Sequence, residues 1–393
     1  MTAALACLST LLLLLAPPAA PGTGPVSVRD FGARGDGKTN DTAAFQKALA
    51  LGRRTVTVPA GVYLLGPKPL IFAPHVRLTG DGSASVLRVA KGTGVLLQLG
   101  EGSEVSRLAV EGSAGGAGGS AEPGLVQLGR EACFASVERV AFRTCRRVCI
   151  ATANANDLTI RDCDFRDIQQ AVSLSFSRRV RVLNNTVVNA KLHGLQFWGN
   201  WKWEMKDSED LLFQGNLVKD GGGGGIWGAG ARRVILSGNT VDGATDVGLD
   251  LEWCDDSVIA GNTVRNAVNG GISLFFACKG VAITSNTVRN DAAIDGAKAA
   301  WWVRSGIWLT YPNRETYKDD RGHRDVTIVG NTIVCADGDR HAIFIGSESD
   351  NIAIHGNVLR GGDSPVGGSV VEQPLLLRSR PENVLLGGPA GKP

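Results

Sequence analysis

The chain has 393 residues, 41 Lys or Arg against 38 Asp or Glu, and a net charge of +3. No basic run is longer than a pair, so the electrostatic footprint of a nucleic-acid binder is missing. After a leader about 370 residues remain, enough for two ordinary domains, but 52 glycines and an interior that repeats itself point to one repetitive domain.

The first element is MTAALACLSTLLLLLAPPAAPGTG, a leucine run too short to span a bilayer, followed by small residues and prolines. Residues 1–22 therefore read as a secretory signal, and the product is expected to be secreted, extracellular or periplasmic, without a membrane span. Seven cysteines come after the leader, an odd and scattered set that does not form a disulfide framework. Residues 23–52 are expected to cover the N-terminal end of a repetitive region: Asn40 or Asp41 caps a short helix with Ala44, Phe45, Ala48 and Leu49 on one face. TVTVPAGVYLL then opens that region, 53–380, before a flexible tail, 381–393.

Aligned on asparagine, the repetitive region shows seven units, marked by Asn185, Asn216, Asn239, Asn262, Asn286, Asn331 and Asn357. Their separations are 31, 23, 23, 24, 45 and 26, a base period near 23 with insertions. A short alternating run precedes each asparagine, and a second run comes about nine residues later. No crossover helices intervene, so the units are predicted to stack as windings of an all-β, right-handed parallel β-helix with an N-terminal capping helix. The asparagines should then form an internal ladder of side-chain amides. Cys254 and Cys278 should be neighbours on adjacent windings, as stacked thiols or as a disulfide.

The run DFGARGDGKTNDTAAFQKAL, then VPAGVYLL, then LTGDG, between Val26 and Gly82, resembles the amino-terminal module of the pectate-lyase and polygalacturonase-like right-handed β-helix superfamily. The close match covers about sixty residues and the generic repeat extends it to about residue 375. The resemblance implies a fold rather than an activity, because that superfamily holds lyases, hydrolases, epimerases and phage tailspikes. Polygalacturonase-like hydrolases carry Gly-His-Gly where this chain has Asn269-Gly270-Gly271, and Asp-Asp where it has Asp246-Val247. Alginate-type epimerases set an aspartate beside a histidine; Gly248-Leu249-Asp250-Leu251-Glu252 is similar in position but lacks that histidine.

Set in register on their glycines, the second runs HGLQFW, GGIWGA, VGLDLE, GGISLF and SGIWLT give two outward rows. One is Gln196, Trp227, Asp250, Ser273 and Trp308; the other is Trp198, Ala229, Glu252, Phe275 and Thr310. Two carboxylates, Asp250 and Glu252, thus share an outer face with indoles, which are costly to expose without a partner. All eight tryptophans lie between Trp198 and Trp308, and the insertions at 199–210 and 291–324 bring Trp201, Trp203, Trp301 and Trp302 to flank this face. Flat indoles suit the C–H faces of sugars, while carboxylates, Gln196 and Asn269 suit hydroxyls.

These residues predict an enzyme that cleaves glycosidic bonds of a polysaccharide, uronate-containing if Arg304 grips a substrate carboxylate, by hydrolysis or β-elimination. Asp250, Glu252 and Asp246 are the catalytic candidates; Trp198, Gln196, Trp227, Trp308, Arg304, His193, Phe275 and Asn269 are the substrate-binding ones. The cofactor is left unknown, calcium entering only for a lyase, and no metal ligands are assigned. A non-catalytic carbohydrate-binding or cell-surface β-helix, or a uronan epimerase, stays open beside this reading, as does the oligomeric state.

Overall fold

The computed structural model describes residues 24–112, 123–199, 207–289, 305–310, 321–335, 341–346 and 349–360, with the backbone alone for 364–368 and 385–386. The leader lies outside the described residues. Every strand pairing among them is parallel, and each winding contributes strands that pair with their equivalents in the next. One ladder runs from Val26–Ser27 through Thr55–Val58 and Arg77–Gly80 to Asp350–His355. A second runs from Asp36–Asn40 through Gly61–Leu65 and Ser85–Val89 to Val358–Arg360 and Leu385–Leu386. The long strands Glu104–Glu111 and Ser136–Arg143 belong to both, joining them into one 25-stranded sheet. The third ladder is a separate 12-stranded sheet from Leu70–Ile71 to Ser364–Gly368, and it carries the site.

Alternation sets the core. Along Val247–Glu252, Leu249 and Leu251 are wholly buried and pair with Ile272 and Leu274, equally buried, in the next winding. The interior is a continuous stack of such aliphatic side chains.

One α-helix occurs among the described residues, Thr42–Leu49, and it buries Ala44, Phe45, Ala48 and Leu49 against the coil interior. Of the two cap candidates, Asn40 Oδ1 accepts from the Thr42 amide at 3.0 Å. Asp41 instead accepts from the Arg34 and Gly35 amides, at 2.8 and 3.1 Å, and so ties the preceding loop to the helix. Coiling begins before TVTVPAGVYLL, because Val26–Ser27 and Asp36–Asn40 already pair with coil strands.

The asparagine ladder is complete from Asn185 to Asn357. Each side-chain oxygen accepts both the backbone N–H and the Nδ2–H of the preceding asparagine at 2.8–3.0 Å. The seven cysteines after the leader are free thiols; Cys254 and Cys278 lie on adjacent windings, the Cys254 amide 3.4 Å from Cys278 Sγ. No described helix is long and apolar enough to cross a membrane.

Candidate active site

A ladder of glycines, Gly194, Gly225, Gly248, Gly271 and Gly306, precedes the site strands and explains their close seating. A Cβ on Gly225 would run into the Val241 side chain and lie 2.6 Å from the Gly248 carbonyl oxygen. A Cβ on Gly248 would meet Val264 and the Gly271 oxygen in the same way. Glycine is needed here for close approach, and the repeated requirement holds all five strands in one register.

That register puts Gln196, Trp227, Asp250, Ser273, Trp308 and Phe344 in one row, and Ser175, Trp198, Ala229, Glu252 and Phe275 in the next. The glycine alignment anticipates both rows. Adjacent windings of a parallel sheet are about 4.8 Å apart, so Trp227 and Asp250, or Ala229 and Glu252, are direct neighbours.

Three rings stack over this surface. His193 lies on Trp227 with centroids 5.0 Å apart and planes at 15°, and Trp227 lies on Trp198 at 5.2 Å and 24°. Trp227 Nε1 donates to Glu252 Oε1 at 3.1 Å. His193 Nδ1 accepts from the Gly224 amide at 2.9 Å, which leaves the proton of a neutral ring on Nε2. Asn269 Nδ2 donates to Asp246 Oδ1 at 2.6 Å, the contact the sequence places between successive windings.

Burial governs the charges. Desolvation raises Glu252 from 4.5 to about 7, against the Trp227 hydrogen bond, with the Asp246 charge adding to the rise. Asp250 is pushed well above the ordinary carboxylate range by burial first, then by the Glu252 and Asp246 charges. Burial lowers His193 despite the pull of Asp246, so its ring is neutral at neutral pH. Asp250 Oδ1 and, one winding on, Ser273 Oγ are buried with no hydrogen-bond partner among the described residues. Buried polar atoms in that condition are rare and call for an explanation.

The structure therefore gathers His193, Trp198, Trp227, Asp246, Asp250, Glu252 and Asn269. It treats others differently. Trp308 is 1% exposed and Phe275 7%; they meet edge-to-face at 5.3 Å in an apolar cluster with Val247 and Phe344. The aromatic trough expected from the sequence is thus closed at that end, because outward side chains on three successive windings pack on one another rather than lie open. Gln196 is buried too, its Oε1 accepting from Gln170 Nε2 at 2.6 Å. Arg304, with Trp201, Trp203, Trp301 and Trp302, lies outside the described residues. Gln170 and Ser273 are not among the site candidates that the sequence singles out. The signal for Gln170 is the run Gln170–Ser175, one further copy of the same strand. Among the described residues no three or more His, Cys, Asp or Glu side chains are placed to hold a metal ion.

Comparison with known proteins agrees with this architecture. Residues 149–310 match the family model for a right handed beta helix region. No curated protein sequence matches the chain. Among solved structures it is similar to the A-module of mannuronan C-5 epimerase AlgE6 from Azotobacter vinelandii, with TM-score 0.68, 17% identity, and 87% of this chain and 98% of that one covered. It is also similar to PfbA, a surface adhesin of Streptococcus pneumoniae, with TM-score 0.66, 14% identity, and 88% and 94% covered. A Yersinia enterocolitica family 28 exopolygalacturonase aligns with TM-score 0.62 and 14% identity over 88% of this chain and 77% of that one. By its coils, its repeat and these likenesses, the chain has the right-handed parallel β-helix fold.

Proposed function

We propose that this protein is an exported carbohydrate-active enzyme that cleaves glycosidic bonds of a polysaccharide at the surface around Asp250 and Glu252. What carries the reading is the geometry of one outer face, where Asp250 and Glu252 lie two residues apart beside the stacked rings of His193, Trp227 and Trp198, with Trp227 hydrogen-bonded to Glu252; burial there raises both carboxyls, Glu252 to about 7. A group that titrates near the working pH is suited to take up and release a proton, and a neighbour that keeps its proton is suited to donate one. Asp250 is then the acid that protonates the leaving glycosidic oxygen. Glu252 is the base, acting on water in hydrolysis or on a carbon-bound proton in β-elimination. Trp227 holds the Glu252 carboxylate in place and, with Trp198, offers aromatic surface to a sugar ring. Neutral His193 and the Asp246–Asn269 pair supply hydroxyl contacts. Residues 1–22 act as the export signal, and the helix Thr42–Leu49 closes the N-terminal end of the core.

The epimerase and exopolygalacturonase likenesses support a polysaccharide as the ligand. A second reading, a surface protein that only binds glycans, is favoured by the burial of Asp250, Trp308 and Phe275. A broad panel of polysaccharides separates the two: the cleaving enzyme releases reducing ends, or unsaturated uronates absorbing in the near ultraviolet. The cleavage reading fails if wild-type protein releases neither product while still binding a glycan.

A further inference from the structure

A cavity lies on the N-terminal side of this surface, lined by Arg130, Asn154, Asn156, Phe176, Arg178 and Asp207, with a volume of about 440 Å³. That is within the range of small-ligand pockets. We infer that it is a binding site for an acidic sugar unit, a ring bearing a carboxylate or a sulfate, held about three windings from Glu252. As a subsite for the same glycan, the inference rests on the proposed function; as an acidic-sugar site it stands on its own residues.

Its position comes from the register. Phe176 directly succeeds Ser175, and the row Ser175, Trp198, Ala229, Glu252 climbs one winding at a time. Three steps of about 4.8 Å place the cavity roughly 14 Å from Glu252 along the stack.

Phe176 is the telling residue. It is 37% exposed and held at φ 50, left-handed backbone that a bulky side chain seldom adopts. The left-handed turn itself belongs to the coil, since it recurs at the equivalent Trp253 and Phe276; what matters at Phe176 is that its ring stays open at the edge of the cavity, where it offers a sugar a flat apolar platform. The cations complete the chemistry. Glu209 is already engaged by Arg232 and Arg233 at 2.6 and 2.9 Å, so Arg178, at 3.4 Å from it, is the least committed of the three guanidiniums. Arg130 forms no ion pair among the described residues. Two guanidiniums facing one Asp207 leave the cavity net positive, and a planar guanidinium fork matches a carboxylate or sulfate. Asn154, Asn156 and Asp207 suit ring hydroxyls.

The test measures calorimetric affinity of the full chain for uronate, sulfated and neutral oligosaccharides of matched length. Arg130→Gln with Arg178→Gln should weaken the acidic oligomers at least tenfold and leave the neutral one unchanged, and the two acidic arms show which acid group is taken. Phe176→Asn should also weaken acidic oligomers about tenfold while its melting temperature stays level or rises, because asparagine tolerates the left-handed backbone. A purely structural Phe176 would instead lose stability. Acidic-oligomer affinity that survives in folded variants overturns the inference, as does wild-type protein that binds neutral and acidic oligomers alike. Glu252→Gln separates the two claims. If no glycan is ever turned over but acidic binding falls in the cavity variants, the catalytic reading fails and this one stands; if turnover depends on Glu252 but the cavity variants bind normally, the reverse holds.

Discussion

Along the turn from Asn185 to Asn357, buried amides are fully answered: from Asn216 on each oxygen accepts two hydrogen bonds from the winding before it, and each Nδ2 also donates to a backbone carbonyl. Along the sheet of Asp250, buried polar atoms are left unanswered, at Asp250 Oδ1 and Ser273 Oγ, beside a carboxyl displaced to about 7. The same stacking builds both regions. In the first it satisfies every group and contributes stability; in the second it forces acids together and out of water, at a cost that a purely structural surface would have shed.

That contrast is broken most strongly by Glu252→Gln, which should lower product release by about 10²–10⁴-fold if Glu252 transfers a proton, with glycan affinity retained. Steady-state product assays beside calorimetry check it. In the other region Asn262→Leu removes the acceptor for two donors of Asn239 and a donor to Asn286. A loss of about 3 kcal/mol in urea unfolding is expected, from two buried donors left unpaired.

A third measurement sharpens the difference through pH. Glu252 is raised in the folded chain from 4.5 to about 7, so the folded state holds a proton that the unfolded state has released. Stability is therefore full below about pH 4.5 and declines as pH rises to about 7, by at most about 3 kcal/mol. Glu252→Gln should reduce the slope of that part of the urea-midpoint profile, Asp250 supplying what remains, and a slope left unchanged would show that burial does not hold the proton on Glu252. Smallest is Trp227→Phe. It keeps the ring and removes the Nε1 donor that lowers Glu252, so the midpoint of the pH–activity curve should move upward, by about one unit or less.

The asparagine period, the glycine alignment and the two outward rows are legible in the sequence because a stacked coil converts residue spacing directly into neighbour relations. Asp246 and Asn269, or Trp227 and Glu252, meet where the repeat puts them. Exposure is not legible to the same degree. Trp308 and Phe275 occupy outward positions as expected, yet Val247 and Phe344 cover them. Asp41 has the residue type of a cap and instead binds two loop amides, because its neighbour Asn40 serves the helix. Phe176 carries no signal in the sequence for its cavity, since nothing in one residue name reveals an open ring beside two arginines.

By itself, then, the order of residues determined the all-β winding, the ladder positions and the company kept by Asp250 and Glu252. Periodicity suffices for that, since every strand pairs with its own copy. Tertiary structure alone decided which outward side chains are covered, how far burial displaces each proton, and where the cavity beside Phe176 opens, because desolvation and side-chain packing depend on atoms contributed by several windings at once.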